Sequence, residues 1–474
     1  MPNRIRINSL TVNNIKCVKH GRIEFNASND LRDEKASIMG IYGQNGSGKT
    51  VAVEALLIVK ALFSGEQISN RFLDIISFGE ERASIEVELS IVNDEHTDCT
   101  VFYRCDMKQL NDPNDSMPRG GYGMAVTARG AYEKKSIIAV VYESLSVSGS
   151  IHSNKYRKQL IAQTDENVKI VKPISKQSLL FGNDSGTLKK LEENKLLALY
   201  GSRSFLFSDQ ALDAIEGNGS NDFSSLIQSV RFFAEFCLFI VGGEIQSDVH
   251  LPISFVIQRA SGGTIGQILL PGDHKGAISG DDLAVFHEVL SPLNNVLAKM
   301  MPGLKVDYIS KKLTLDDMDD VYEIELFASR GDDNLLPLRH ESLGTKKIVS
   351  FLSLLIAAYN NPSVVLVLDE FDSSIFEFLL GEIVSIISSS GRGQFIFTSH
   401  NLRPLEKLSD TSICFTTTDP MNRYVRLRKK ATNNLRDMYF RTISLGNDDF
   451  ELYNGESKNV LAFAFRQAWG GDNG

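Results

Sequence analysis

Apolar and polar residues alternate over 5–13, with Ile5, Ile7, Leu10 and Val12 set between polar neighbours, and this predicts a half-buried strand. A second, short strand is predicted at 22–25. The run 36–42 is almost wholly apolar and reads as a buried strand, while 51–63 is apolar on most faces and reads as a buried helix. Alternation resumes at 83–91 and 99–105 around the turn residues Asn93, Asp94 and Glu95, which predicts an antiparallel hairpin. Residues 108–123, rich in Asn, Asp, Pro and Gly, read as a loop, and 136–147 as another strand.

Near residue 150 the pattern changes. Helical spacing dominates to about 300, at 186–200, 223–241 and 281–301, with one strand pair at 253–258 and 265–270. Strands return at 304–309 and 321–327, on either side of an acidic turn at 316–320. A helix is expected from Ser342 to Tyr359. Two further apolar runs, 363–368 and 394–399, predict buried parallel strands. There is no sustained heptad run, internal repeat or low-complexity tract. The divisions expected are 1–148, 149–300, 301–430 and a tail at 431–474.

At 474 residues the chain is too long for one core of usual size. Its net charge of -9 argues against a general polyanion-binding surface, leaving room for a local basic groove. The alternating basic run 423–430 is the best candidate for a nucleic-acid contact. Lys155, Arg157, Lys158, Lys169, Lys172 and Lys176 read instead as a solvated face. The five cysteines are scattered and form no C-x-x-C pair, which fits reduced thiols in a cytoplasmic protein. No signal peptide is expected, and the longest apolar stretch, 232–241, is too short to span a bilayer. The aromatic residues of the tail read as packing on the protomer.

The chemistry concentrates in four places. Gly43-Gln44-Asn45-Gly46-Ser47-Gly48-Lys49-Thr50 is a Walker A loop between a predicted strand and a predicted helix. Backbone N–H groups from Gly43 and Asn45 to Gly48 are expected to cradle the phosphates of ATP. Lys49 adds charge at the β/γ-phosphates, and the Thr50 hydroxyl suits Mg²⁺. The run 363–368 ends in Asp369-Glu370, a Walker B pattern, with Asp369 a metal-holding acid and Glu370 a general base. Strand 394–399 ends at His400, where a γ-phosphate sensor belongs. Ser342 and Gly344 open a helix whose N-terminus suits an anion.

Taken in order, Walker A, a long insertion, Ser342-Leu343-Gly344-Thr345-Lys346, Asp369-Glu370-Phe371-Asp372 and Thr398-Ser399-His400 resemble the ATP-binding-cassette ATPases of the SMC/RecF type. More narrowly, they resemble the stand-alone AAA-type ATPases related to OLD proteins of bacteria and phages, a group that includes PtuA- and AriA-like defence ATPases. The resemblance covers roughly 1–150 and 300–430. It implies an α/β, two-lobed ABC-type head with a largely helical insertion; the TOPRIM domain of full-length OLD nucleases is not expected, since little chain follows His400 and only Asp448 and Asp449 pair up there. It also implies a homo-oligomer, at least a dimer, with Ser342 and Gly344 contacting ATP on the partner, Asp372 at the dimer interface and His400 as switch histidine. Gln177 is the candidate Q-loop residue. The implied output is control of an effector nuclease or toxin in anti-phage defence. The alternatives are a RecF-like DNA-repair ATPase and an ATP-bound scaffold with little turnover; a transport ATPase fits least.

Overall fold

The computed structural model describes residues 3–25, 31–93, 96–111, 136–152, 154–219, 221–242, 252–258, 265–313, 320–331, 335–427, 434–445, 451–452 and 458–469. The chain opens with β1 (Arg4–Ile15), β2 (Val18–Glu24), β3 (Ser37–Tyr42) and α1 (Lys49–Phe63). Then come β4 (Arg82–Val92), β5 (Asp98–Asn111), β6 (Ser136–Ile151) and β7 (Asn154–Asp165). Helices α2 (Ile174–Phe181), α3 (Ser185–Tyr200), α4 (Asp209–Gly217) and α5 (Asp222–Phe236) lead to β8 (Leu238–Val241). Next are β9 (Pro252–Gln258), β10 (Ile265–Pro271), β11 (Gly276–Ser279) and α6 (Gly280–Met300), followed by β12 (Leu304–Leu313), β13 (Val321–Arg330) and β14 (Leu335–Pro337). The last group is α7 (Leu343–Asn360), β15 (Val365–Leu368), α8 (Glu377–Ser390), β16 (Gln394–Ser399), α9 (Arg403–Lys407), β17 (Ile413–Thr416), β18 (Tyr424–Val425), α10 (Leu435–Leu445) and α11 (Lys458–Trp469).

The fold is α/β, as the sequence pattern predicts. One six-stranded sheet, in the order β2-β1-β4-β5-β6-β7, is antiparallel throughout. The other, in the order β18-β17-β3-β16-β15-β8, is parallel except at the β17–β18 edge. β3, β15 and β16 are buried at every position, so they read as unbroken apolar runs. A smaller sheet orders β11-β13-β12 with β14 beside β13, and β9 pairs with β10.

The two large sheets meet at a bulge. The register of β1 against β4 slips between Ile7 and Ser9, with Asn8 the extra residue, and β1 pairs with β2 only from Ser9 onward, so on that side the backbone of Ile7 takes another partner. The Gln394 amide at the start of β16 supplies it, accepting from Ile7 N (2.9 Å) and donating to Ile7 O (2.7 Å). A second joint is aromatic. Phe63 at the end of α1 packs on Tyr103 of β5 and on Phe207, with ring centroids 4.8 and 4.9 Å apart. The buried Glu143 holds that joint, accepting from the Tyr103 hydroxyl (2.7 Å), the Ser204 hydroxyl (2.5 Å) and Phe205 N (2.9 Å). Burial pushes its carboxyl above the usual range despite these donors.

Several elements differ from the pattern reading. The helix expected at 223–241 stops at Phe236, and Leu238–Val241 becomes the edge strand β8 beside β15. Strand structure also continues past residue 150, because β7 extends the antiparallel sheet. Strand β5 runs to Asn111, and the rest of the loop expected at 108–123 lies outside the described residues. Of the strand expected at 423–430 only Tyr424–Val425 forms, and 428–430 lie outside the described residues, as do 316–319 of the acidic turn.

Candidate nucleotide-binding site

The phosphate loop leaves β3 after Tyr42 and enters α1 at Lys49. Gly46 (φ 74°) and Gly48 (φ 94°) lie in the left-handed region, where a Cβ is penalised. At Gly43 a Cβ would fall 1.7 Å from Thr416 Oγ1. Gly48 is the N-cap of α1 and offers no side-chain cap, and no acid stands in the first turn. The N-terminal N–H groups of this helix therefore have no side-chain cap and point into the loop, an arrangement suited to an anion. Thr50 is exposed in that first turn.

Lys49 folds back over the loop, donating to Gly43 O (2.9 Å) and Gln44 O (2.8 Å). Burial lowers its pKa, while Asp369, Asp372 and Glu370 work in the other direction. Ser47 donates to Gln44 O at 2.6 Å and lies against Thr416 Oγ1. Residues distant in sequence brace the loop from outside. The Cys17 thiol in the β1–β2 turn donates to Gly46 O (3.3 Å), and the Tyr424 hydroxyl donates to Gly48 O (2.8 Å).

Two strands away, β15 ends at Asp369, which is 1 % exposed and donates its N–H to Val241 O. Glu370 follows, exposed and at φ 47°. Between β15 and β3 lies β16, whose Thr398 hydroxyl donates to Asp369 Oδ1 and accepts from Glu370 N (2.8 Å). His400 follows β16. Its backbone N–H donates to Asp372 Oδ2 (3.0 Å), and Asn401 N donates to the same oxygen (2.8 Å). The imidazole pKa lies below its ordinary 6.5, chiefly through burial and then through Lys49, with Asp372, Glu370 and Asp369 opposing. Lys49, Asp369, Glu370, Asp372 and His400 thus share one electrostatic neighbourhood at the C-terminal edge of adjacent parallel strands, where ligands of open α/β sheets bind.

Ser342 and Gly344 stand apart from this group. Ser342 caps α7, accepting from Thr345 N (3.2 Å), and is exposed. The preceding Glu341 is clamped by Arg330 through Nη1 (2.6 Å) and Nη2 (2.8 Å). Gly344 presses on the turn after Asp372, where a Cβ would lie 2.3 Å from Ser374 O. Among the described residues no hydrogen bond ties Ser342 to the phosphate loop of its own chain. Gln177 sits on α2, whose contacts are with α4 and β7 in the antiparallel-sheet lobe. The basic run is also internal in part. Arg423 is buried and donates to Thr417 O (2.6 Å) and Cys17 O (2.7 Å), and Arg426 donates to Glu24 O.

Pattern reading quoted Thr398 only as part of a motif, gave Thr416 and Cys17 no place at the site, and read Arg423 as the start of a basic run. A polar Thr398 closing the run Phe395-Ile396-Phe397 was a signal for the first, whereas the other three become neighbours of the loop only through tertiary folding.

Residues 9–227 match a family model described as an AAA domain. Residues 268–405 match one described as an AAA domain, putative AbiEii toxin, Type IV TA system. Both matches are AAA domains. Similar solved structures include an SMC head bound to the C-winged helix domain of ScpA, at 15% identity over 92% of this chain and 99% of that chain, with a TM-score of 0.40. Another is the SMC head domain from Thermotoga maritima (14%, 90% and 100%, 0.35). A third is the recombination mediator RecF with ATP (13%, 90% and 100%, 0.33). Comparison with curated proteins finds no match. No helix among the described residues is long and apolar enough to cross a membrane.

Proposed function

We propose that the chain is an ATPase that closes head to head around ATP, and that this closure controls a partner protein. The observation that carries the reading is the convergence of Lys49, Asp369, Glu370 and His400 on one edge of the parallel sheet. In this reading the N–H groups of the loop from Gly43 and Asn45 to Gly48 bind the phosphates. Lys49 exchanges the carbonyls of Gly43 and Gln44 for phosphate oxygens, a change from neutral to charge-assisted acceptors. Glu370 accepts the proton of a water that attacks the γ-phosphorus, and the bond to ADP breaks as the new P–O bond forms. His400, neutral at pH 7, donates one ring N–H to the γ-phosphate.

The donor set fits a hard divalent cation: Asp369 is a buried carboxylate within electrostatic reach of Lys49, and Thr50 is a hydroxyl in the first turn of α1. Thr50 and Asp369 would hold Mg²⁺, which supplies neutralisation of phosphate charge.

Ser342 and Gly344, with no hydrogen bond to the phosphate loop of their own chain among the described residues, act on ATP held by a second copy, with Asp372 and the following turn at the contact. The partner is an effector, a nuclease or toxin, in anti-phage defence within the cytoplasm. The test pairs turnover with solution mass. Glu370→Gln should bind ATP, lose hydrolysis by about 100-fold or more, and accumulate as an ATP-dependent dimer. Unchanged turnover would remove Glu370 as the base, and a monomer under all conditions would remove the second copy.

A further inference from the structure

We infer that Thr398 is a positioning residue for hydrolysis, its single hydroxyl fixing both acids of the site from the neighbouring strand. The inference rests on the ATPase reading above. Thr398 is 1 % exposed and stands where β16 turns from Phe395-Ile396-Phe397 to polar residues. A threonine hydroxyl has one proton to give and two lone pairs to receive with. The carboxylate of Asp369 is an acceptor, so the proton goes to Asp369 Oδ1, and the N–H of Glu370 fills a lone pair at 2.8 Å. The next N–H, of Phe371, donates to the carbonyl of the same residue at 3.0 Å. Thr398 therefore grips three consecutive residues of the turn after β15.

That grip has a purpose at Glu370. Its φ of 47° is a left-handed conformation that a non-glycine residue rarely adopts. The side chain is exposed, so its direction follows from the backbone. Ser373 N–H donates to Glu370 O at 3.0 Å within the turn, and the two hydrogen bonds to Thr398 tie that turn to the neighbouring strand. Asp372 returns the grip by accepting two consecutive N–H groups, of His400 and Asn401, from the turn after β16. Base and phosphate sensor are thus held in register by two residues that exchange partners across the strands. A displacement of about 1 Å in a catalytic group lowers turnover on the order of 100-fold, so the aim of Glu370 decides the rate.

The experiment compares Thr398→Val, which keeps the shape and deletes the hydroxyl, with Thr398→Ser, which keeps the hydroxyl and deletes a methyl. Hydrolysis, KM for ATP and thermal unfolding are measured on the full chain, with Glu370→Gln in parallel. Thr398→Val should lower kcat by about tenfold or more with KM within about threefold, and Thr398→Ser should stay within about threefold of wild type. The Ser and Ala variants differ by the hydroxyl alone and carry the same comparison if Val is not tolerated in the fold. Undiminished turnover in Thr398→Val, or equal loss in the Ser and Val variants, would overturn the inference. No hydrolysis by the wild type would remove the ATPase reading, and wild-type turnover in Glu370→Gln would remove Glu370 as the base; if only Glu370→Gln were inactive, the assignment of Thr398 alone would fail.

Discussion

The carboxylate of Asp372 accepts the backbone N–H of His400 at 3.0 Å, so the turn after one strand of the site holds the turn after the next. Asp372→Ala should loosen His400 without touching the phosphate loop. Turnover should fall by about tenfold while the affinity for ATP stays within about threefold. Equal losses in both, measured by steady-state kinetics and equilibrium binding, would assign Asp372 to nucleotide binding instead.

Lys49 is buried, and in the free protein its charge rests on two loop carbonyls, Gly43 O and Gln44 O. Lys49→Ala deletes the charge that phosphate would meet. A lost charge-assisted hydrogen bond costs about 1.5–3 kcal/mol, or roughly 10- to 150-fold in affinity. Titration with a fluorescent ATP analogue measures this directly, and unchanged binding would place the nucleotide elsewhere.

The His400 imidazole is held neutral below its ordinary pKa of 6.5, first by burial and then by Lys49. The unfolded chain then binds more protons than the folded one just below pH 6.5, so stability is present above that pH and lost as pH falls. Histidine NMR of the nucleotide-free protein should show a midpoint below 6.5 for His400. A non-hydrolysable ATP analogue should raise it, since the γ-phosphate is an added negative neighbour. A midpoint unmoved by nucleotide would separate His400 from the phosphate.

Gly344 leaves no room for a side chain, because a Cβ would stand 2.3 Å from Ser374 O, a backbone atom. Gly344→Ala must therefore shift either the start of α7 or the turn after Asp372. ATP binding by the separate chain should persist and the ATP-dependent mass increase should disappear. Light scattering with and without ATP distinguishes this from a general folding defect.

Of the five cysteines only Cys17 is exposed, and its thiol sits 3.3 Å from Gly46 O of the phosphate loop. Burial pushes the thiols of Cys99, Cys237 and Cys414 up to about 12, which suppresses their thiolate at neutral pH. Iodoacetamide should label Cys17 first, and ATP should slow that labelling. Labelling at the same rate with saturating ATP would place Cys17 outside the nucleotide's shadow.

Local pattern carried much of this architecture. The loop from Gly43 to Thr50 and the acids Asp369 and Glu370 were legible because each lies at the end of a short apolar run bounded by turn residues, which reads as a buried strand. The end of α5 was not legible, since Leu238–Val241 continues an apolar stretch in which helix and buried strand look alike. Its pairing with β15 decided the matter. Nor could charge pattern reveal that Arg423 is an internal brace, as that depends on the carbonyls of Thr417 and Cys17 meeting it in space.

By itself the sequence determined which candidate residues stand at which strand ends. Glycine conformations, apolar runs and terminal acids are local properties that a short window encodes. Only the tertiary structure decided how those residues are held: Thr398 between Asp369 and Glu370, Asp372 beneath His400, and Cys17 and Tyr424 against the phosphate loop. These contacts join residues from 28 to 376 positions apart; those of Thr398 and Asp372 exist only once β16 lies beside β15, and that of Tyr424 only once β17 and β18 lie beyond β3.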